Sequence, residues 1–257
     1  MDFIVAADTD IGNVRKTNRD SVAVLIADTN MGAISFGIIC DGMGGLAKGE
    51  LASATLIHVM VNWFKVDLPL ALERNGISDG FIREQWTSLI KKTDDVIKRY
   101  GFENHLKLGT TISAILLTQS RYYVVNVGDS RIYELYNHQV NQITEDHTLV
   151  ARELKYGIIT PEEARVDPRN SILIQCVGAS KDVYPDFFFG DTKKNAGYVL
   201  CSDGFRHLIS NEEMYSFLSF ENNKDKNTMQ YHIRQLIEMN KQRMERDNIT
   251  VALIKTY

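Results

Sequence analysis

Four aspartates in this chain share one pattern: each sits at the border of an apolar run. Phe36-Gly-Ile-Ile-Cys-Asp-Gly-Met-Gly-Gly45 is an apolar run that ends in Asp41 and glycines. Val124-Val-Asn-Val-Gly-Asp129 and Tyr198-Val-Leu-Cys-Ser-Asp-Gly204 end in the same way, and Arg246-Asp-Asn248 directly precedes the last apolar run. Short apolar runs bounded by turn residues read as buried strands. Ends of strands at one edge of a layered fold converge in space, so Asp41, Asp129, Asp203 and Asp247 are expected to meet. Carboxylates brought together repel unless they are protonated or bridged by cations. Hard divalent cations with oxygen ligands suit such a site, and a pair of them about 3.5–4 Å apart makes a hydrolytic centre. The glycines after Asp41 predict a chain reversal where the backbone comes close to something. One Asp-Gly after a strand is commonplace as a turn or cap; the recurrence is what points to a metal site.

The elements that must position these acids follow from periodicity. Residues 3–7 and 21–27 read as strands, 9–20 as a polar loop punctuated by Gly12, and 28–32 as a hairpin turn leading back into 33–40. So short a turn means antiparallel pairing. Ala52, Leu56, Val59 and Trp63 recur at helical spacing, and a helix is read from Gly49 onward. Residues 67–80, with Pro69 and two glycines, read as a connector. Ile82, Trp86, Leu89, Thr93, Val96 and Tyr100 predict a second helix whose stripe is core. From Gly109 the period changes to two, predicting strands over 110–118, 122–127, 130–136 and 139–143, with Asn137-His138 as a tight turn. Short helices fill 146–169, one of them starting at Thr160-Pro161-Glu162-Glu163 with proline first. Strands at 184–189 and 197–201 follow, then a helix capped by Asn211 and ending at Leu218. Met229, Ile233, Ile237 and Met244 mark a last helix, and 249–254 a final strand. Strands in antiparallel runs, with helices after the early and the late ones, predict an α+β fold: two sheets packed face to face with helices on the outer faces. Residues 1–257 are read as a single domain.

Composition narrows the function classes. Hydrophobic residues at 44% and charged residues at 24% fit a globular chain able to bury a core. The net charge of -4, without a basic block, argues against a nucleic-acid or anionic-membrane partner. No apolar run approaches a membrane span, and the acidic first residues do not form a signal peptide. Cys40, Cys176 and Cys201 are scattered in apolar company, which favours buried thiols in a reducing, cytoplasmic compartment.

Seven motifs then occur in order: Val14-Arg-Lys-Thr-Asn-Arg-Asp20, Asp41-Gly-Met-Gly-Gly45 with Gly49-Glu50, Gly109-Thr-Thr111, Val127-Gly-Asp-Ser-Arg131, Thr144-Glu-Asp-His-Thr148, Cys201-Ser-Asp-Gly204 and Arg246-Asp-Asn-Ile-Thr250. The ordered set resembles the protein phosphatase 2C family, the metal-dependent Ser/Thr protein phosphatases, in its bacterial single-domain form. The resemblance implies an antiparallel β-sandwich flanked by helix pairs, in α-β-β-α layers. It implies that Asp41 bridges two Mn²⁺ or Mg²⁺ ions, that the Gly42 carbonyl ligates the second, and that Asp203 and Asp247 hold the first. Asp129 resembles the ligand of a third ion, and Asp20 and Asn248 stand beside these ligands in support. Arg15 is expected to grip the substrate phosphate, which suits a guanidinium fork. Residues 157–169 are expected in the flap segment beside the site. A water bridging the ions would attack phosphorus in line, without a phosphoenzyme. The implied partners are phosphorylated proteins, the substrates of a Ser/Thr kinase, and the implied state is a monomer.

The chain departs from the family at three places. Arg19 stands where the family has a Glu that helps hold the second metal; Arg cannot ligate, so it is expected to face solvent or pair with Asp20. Leu46 and Met43 stand where some members carry His, which leaves no obvious general acid. His147 is expected to cap the following helix. The alternative reading is a non-catalytic, phosphoprotein-binding relative with a weakened second metal site; retention of four clustered acids argues against it. A Cys-based phosphatase fails because Cys201 lies in an apolar strand without an arginine six positions on. A metal-dependent nuclease lacks the basic stripe.

Overall fold

The computed structural model describes residues 1–44, 48–74 and 76–257. Its strands are β1 (Phe3–Asp10), β2 (Asp20–Thr29), β3 (Gly32–Gly44), β4 (Leu108–Thr110), β5 (Ile112–Leu117), β6 (Arg121–Val127), β7 (Arg131–Tyr136), β8 (Gln139–Gln142), β9 (Asp186–Asp191), β10 (Gly197–Cys201) and β11 (Ile249–Thr256). The α-helices are α1 (Gly49–Asn62), α2 (Leu68–Arg74), α3 (Asp79–Asn104), α4 (Leu149–Lys155), α5 (Pro161–Val166), α6 (Asp203–Arg206), α7 (Asn211–Leu218) and α8 (Lys226–Gln242). One sheet runs β1-β11-β10-β7-β8 and the other β2-β3-β5-β6-β9, with β4 paired to the end of β3. Every pairing between strands is antiparallel. Among the described residues no helix is long and apolar enough to cross a membrane.

The side-chain period of two builds the layers. In β3, Phe36, Ile38 and Cys40 pack toward α1 and α3, while Ile39 enters the space between the sheets with Ile115, Val124 and Leu200. In β11, Val251 and Leu253 pack with the α7 and α8 side, while Ala252 and Ile254 face the other sheet. Both faces of these strands are covered, which is why they read as apolar runs rather than as clean alternation. Phe36, Trp63 and Trp86 close the helix side, the two indoles edge to face at 5.4 Å. Burying each such ring is worth roughly 2–3 kcal/mol. The result is the expected α+β sandwich in four layers.

Several expectations change in detail. The glycines after Asp41 do not reverse the chain at once: β3 continues through Gly44, and Gly42 and Met43 pair with Thr110 and Gly109. Residues 45–47, and with them the Leu46 departure, lie outside the described residues. The stretch 67–80 is largely helical. A π-helical segment, Trp63–Asp67, joins α1 to α2, and the Leu68 N–H donates to the Trp63 carbonyl. Pro69 then sits in the first turn of α2, where its missing N–H does little harm. The buried stripe of α3 is Ile82, Trp86, Ile90, Thr93 and Ile97, whereas Val96 is exposed. The α7 cap is Ser210, in a reciprocal capping box with Glu213, and Asn211 is the first helical residue. Met244 lies beyond α8, exposed and with φ of 66°. The turn at Asn137 and His138 is as expected, both at positive φ as a two-residue hairpin turn requires.

Candidate metal centre

The five acids at the strand borders gather at one rim of the sandwich. Asp20 opens β2 and lies directly opposite Asp41 in the β2–β3 register. Asp129 follows β6, Asp203 follows β10 as the first residue of α6, and Asp247 precedes β11. Asp41, Asp129, Asp203 and Asp247 line one cleft of about 330 Å³, together with Arg15, Arg19, Gly42 and Met43. Ser171 and Leu173 complete its wall. The expected flap stretch, 157–169, lies one step aside, and its Pro161, Ala164 and Arg165 border a neighbouring cavity instead.

Backbone contacts fix each carboxylate. The Asp41 N–H donates to Thr111 Oγ1 at 2.9 Å, and the Asp41 carbonyl accepts from the Thr111 N–H at 2.9 Å. Thr111 Oγ1 in turn shares a 2.8 Å hydrogen bond with Ser130 Oγ, beside Asp129. The Gly-Thr-Thr and Asp-Ser motifs thus brace two acids against each other. A Cβ on Gly42 would meet the Gly49 carbonyl oxygen at 2.2 Å, so only glycine lets β3 lie against the start of α1. Gly128 has φ of 109°, and its N–H and carbonyl are both taken up by His147, through Nδ1 at 3.2 Å and the backbone N–H at 2.9 Å. His147 Nε2 lies 2.9 Å from Asp186. His147 therefore clamps the turn that carries Asp129; the cap of α4 is Thr148.

Asn248 ties the N-terminal loop to the site. Its Nδ2 donates to the carbonyls of Ile11 (3.0 Å) and Thr17 (3.2 Å), and its Oδ1 accepts from the Arg19 N–H at 2.9 Å. That clasp carries Arg15 to Asp247, where Nε donates to Oδ1 at 2.8 Å and Nη2 to Oδ2 at 2.5 Å. Arg15 and Asp247 keep 43% and 28% of their side-chain exposure, so the pair sits at the mouth. Arg19 does not turn to solvent: it is half-buried and lines the cleft. Among the described residues neither carboxyl oxygen of Asp20 has a hydrogen-bond partner, so the expected Arg19–Asp20 hydrogen bond is not made.

The electrostatics are those of acids held together. Burial, then the charges of Asp20, Asp203, Asp129 and Asp247, push the Asp41 carboxyl well above the usual range. Burial raises Asp20 to about 7, with the charges of Asp203 and Asp247 adding. Burial and Asp203 raise Asp129 to about 7 against the pull of Arg206. His207 stands behind Asp203, Nε2 3.7 Å from its Oδ2, with Nδ1 3.5 Å from Glu245. Burial opposes its charge, but Glu245 and Asp203 win and its pKa is raised.

Among the described residues no three His, Cys, Asp or Glu side chains form a finished metal cage. Asp247 is engaged by Arg15 and by the Asn248 N–H, and Asp203 Oδ1 by the Gly204 N–H at 2.7 Å. The donor set nevertheless fits a hard divalent cation: all-oxygen, acidic, and with two buried Asp20 oxygens that lack a partner among the described residues. Cation binding would relieve the repulsion that raises Asp41, Asp20 and Asp129. Reading the sequence missed Ser171, Leu173, Glu245 and His207, which border no apolar run ending in an acid, and the clasp made by Asn248.

The sequence profile of the family Protein phosphatase 2C matches residues 8–153. The chain is 32% identical over 251 residues to a serine/threonine phosphatase, stp, of Listeria monocytogenes, covering 96% of this chain and 93% of that protein. The crystal structure of the Mycobacterium tuberculosis serine/threonine phosphatase PstP/Ppp superposes with a TM-score of 0.82 at 30% identity, over 99% of this chain and 98% of that one. The catalytic domain of a serine/threonine protein phosphatase PstP, solved in complex with two manganese ions, superposes with a TM-score of 0.78 at 29% identity, over 98% and 97% of the two chains.

Proposed function

Because this chain belongs to the protein phosphatase 2C family and is a metal-dependent serine/threonine protein phosphatase, we propose that the cleft between Arg15 and Asp129 is its active site. The observation that carries the assignment is the convergence of Asp41, Asp129, Asp203 and Asp247 with Arg15 on one cleft. Asp41 with the Gly42 carbonyl, Asp203 and Asp247 would hold two Mn²⁺ or Mg²⁺ ions, and Asp129 would help to hold a third. When bound, the ions neutralise phosphoryl charge and acidify the attacking water.

The chain's own residues do the positioning. Thr111 and Ser130 fix the Asp41 backbone, so its carboxylate is held in place at the cleft. The Arg15 fork presents two parallel donors that match a phosphate as well as they match Asp247. The clasp by Asn248 keeps that fork at the mouth, where an incoming phosphoserine or phosphothreonine arrives first. Met43 and Leu173 supply apolar wall.

Residues 1–257 act as one catalytic domain; the core shared between the two sheets and the relatives' matching lengths support this. The protein works as a monomer in the cytoplasm, opposite a Ser/Thr kinase, without nucleic acid or membrane; buried free thiols at Cys40, Cys176 and Cys201 and the net charge of -4 support that setting. The test is phosphopeptide hydrolysis with Mn²⁺ against an EDTA control, in the parent and in Asp203→Asn. Loss of a ligand charge should cut turnover by a factor on the order of 10² or more with the fold retained by circular dichroism. Parent-rate hydrolysis by the folded variant would place the site elsewhere.

A further inference from the structure

A second cavity, of about 370 Å³, lies against the far wall of the metal cleft. The two share their partition. Arg206 donates from Nη2 to the Asp129 carbonyl at 3.1 Å, and His207, which also borders the cavity, stands 3.7 Å from Asp203. Asn170 borders the cavity and its chain neighbour Ser171 borders the cleft. The cavity and the cleft therefore adjoin, with Asn170 and Ser171 between their mouths.

Its lining has two chemistries. Val150, Leu154 and Ala164, from α4 and α5, give it an apolar side. On the other side three guanidiniums, Arg131, Arg165 and Arg206, face a single lining carboxylate, Asp146. That carboxylate is already held by Arg131 in a two-pronged pair at 2.8 and 2.7 Å, and it reaches Arg206 only at 3.4 Å. The Nε of Arg206 is buried without a hydrogen-bond partner among the described residues. Arg165 is exposed on α5 and has no ion pair among the described residues. Cationic excess next to an apolar wall suits a side chain with an aliphatic stem and an anionic head.

We propose that this cavity is a specificity subsite that receives an acidic side chain of the phosphoprotein substrate, a glutamate within a few residues of the phosphorylated position. Its methylenes lie along Leu154 and Ala164, and its carboxylate meets Arg165 and Arg206. The inference rests on the phosphatase reading of the adjoining cleft. It makes the enzyme selective for phosphosites in acidic surroundings, although the chain itself is net negative.

The experiment uses the intact protein with Mn²⁺ and a phosphothreonine peptide otherwise flanked by alanine. Single glutamates are placed at each of the four positions on either side, with glutamine at the same positions as control. The parent should gain about tenfold in kcat/KM at one or two positions for Glu over Gln, the scale of one charge-assisted contact. In Arg165→Glu the gain should disappear or reverse, while p-nitrophenyl phosphate is hydrolysed at the parent rate, because Arg165 takes no part in the metal cleft. Arg165→Ala should fall between. If every position is neutral, if Gln serves as well as Glu, or if Arg165→Glu keeps the preference, the subsite is refuted and the phosphatase stands. If the parent hydrolyses neither the peptide nor p-nitrophenyl phosphate, the cleft assignment falls and the subsite with it.

Discussion

Replacing Arg15 by alanine should move two measured quantities in opposite senses. Arg15 holds both oxygens of Asp247, at 2.8 and 2.5 Å, and the same fork is the proposed phosphate donor at the mouth. For Asp247 to ligate a cation, it must leave Arg15. An ion pair this exposed is worth ~0.2–1 kcal/mol, so removing Arg15 should lower the half-saturating Mn²⁺ concentration by up to about fivefold. The melting temperature should fall by no more than about 2–4 °C. The phosphate, by contrast, loses a charged two-pronged contact worth ~1.5–3 kcal/mol, which is roughly a 10- to 150-fold loss in kcat/KM, carried mostly by KM. A Mn²⁺ titration of p-nitrophenyl phosphate hydrolysis, followed by phosphopeptide kinetics at saturating metal, separates the two effects. A rise in the Mn²⁺ requirement would show that Arg15 organises Asp247 for the metal rather than competing for it. A large drop in melting temperature with unchanged KM would make Arg15 structural.

Arg19→Glu should also lower the Mn²⁺ concentration for half-maximal activity, because Arg19 lines the cleft and a carboxylate there replaces repulsion of the cation by attraction; superimposable titrations on the two proteins would refute this. Stability in EDTA should depend on pH in a definite sense. Asp20 and Asp129 are raised to about 7, so between pH 4 and 7 the folded state holds protons that the unfolded chain has released. Their protonated form favours folding at the acidic end, and that contribution is lost as pH rises through about 7. Melting scans in EDTA should fall by about 5–10 °C per pH unit over that window, and saturating Mn²⁺ should flatten the slope. A slope of opposite sign in EDTA would mean that these carboxyls are ionised throughout.

The acids could be read in the sequence because the signal is local: an apolar run, a carboxylate and a glycine lie within a few residues. The layer order could be read for the same reason, since helical and strand periods change at Gly109. What escaped was set by distance or by register. Asn248 reaches the 11–19 loop, and Arg15 reaches Asp247, across more than two hundred residues, which no window of sequence contains. Asp20, which the resemblance put beside the ligands, owes its place to its register opposite Asp41, and a shift of one residue would have turned it to the other face. In α3 a stripe through Leu89 and Val96 fits helical spacing nearly as well as the observed one through Ile90 and Ile97; packing of the indoles chose between them. Pro69 suggested a break because the π-helical segment that admits it has no sequence signal of its own.

The position of β11 bears on when the protein can become active. This strand comes late in the chain yet sits inside its sheet, between β1 and β10, and it brings Asp247 to the cleft. As the chain leaves the ribosome, β1, β7 and β10 can be made and partly packed while the slot between β1 and β10 stays open. Contacts between residues far apart in sequence form slowly, and here the slow β1–β11 pairing and the completion of the acidic cluster are the same event. A growing chain short of residue 249 therefore has Arg15 but no Asp247 held in place, and the cleft stays incomplete until β11 has been made.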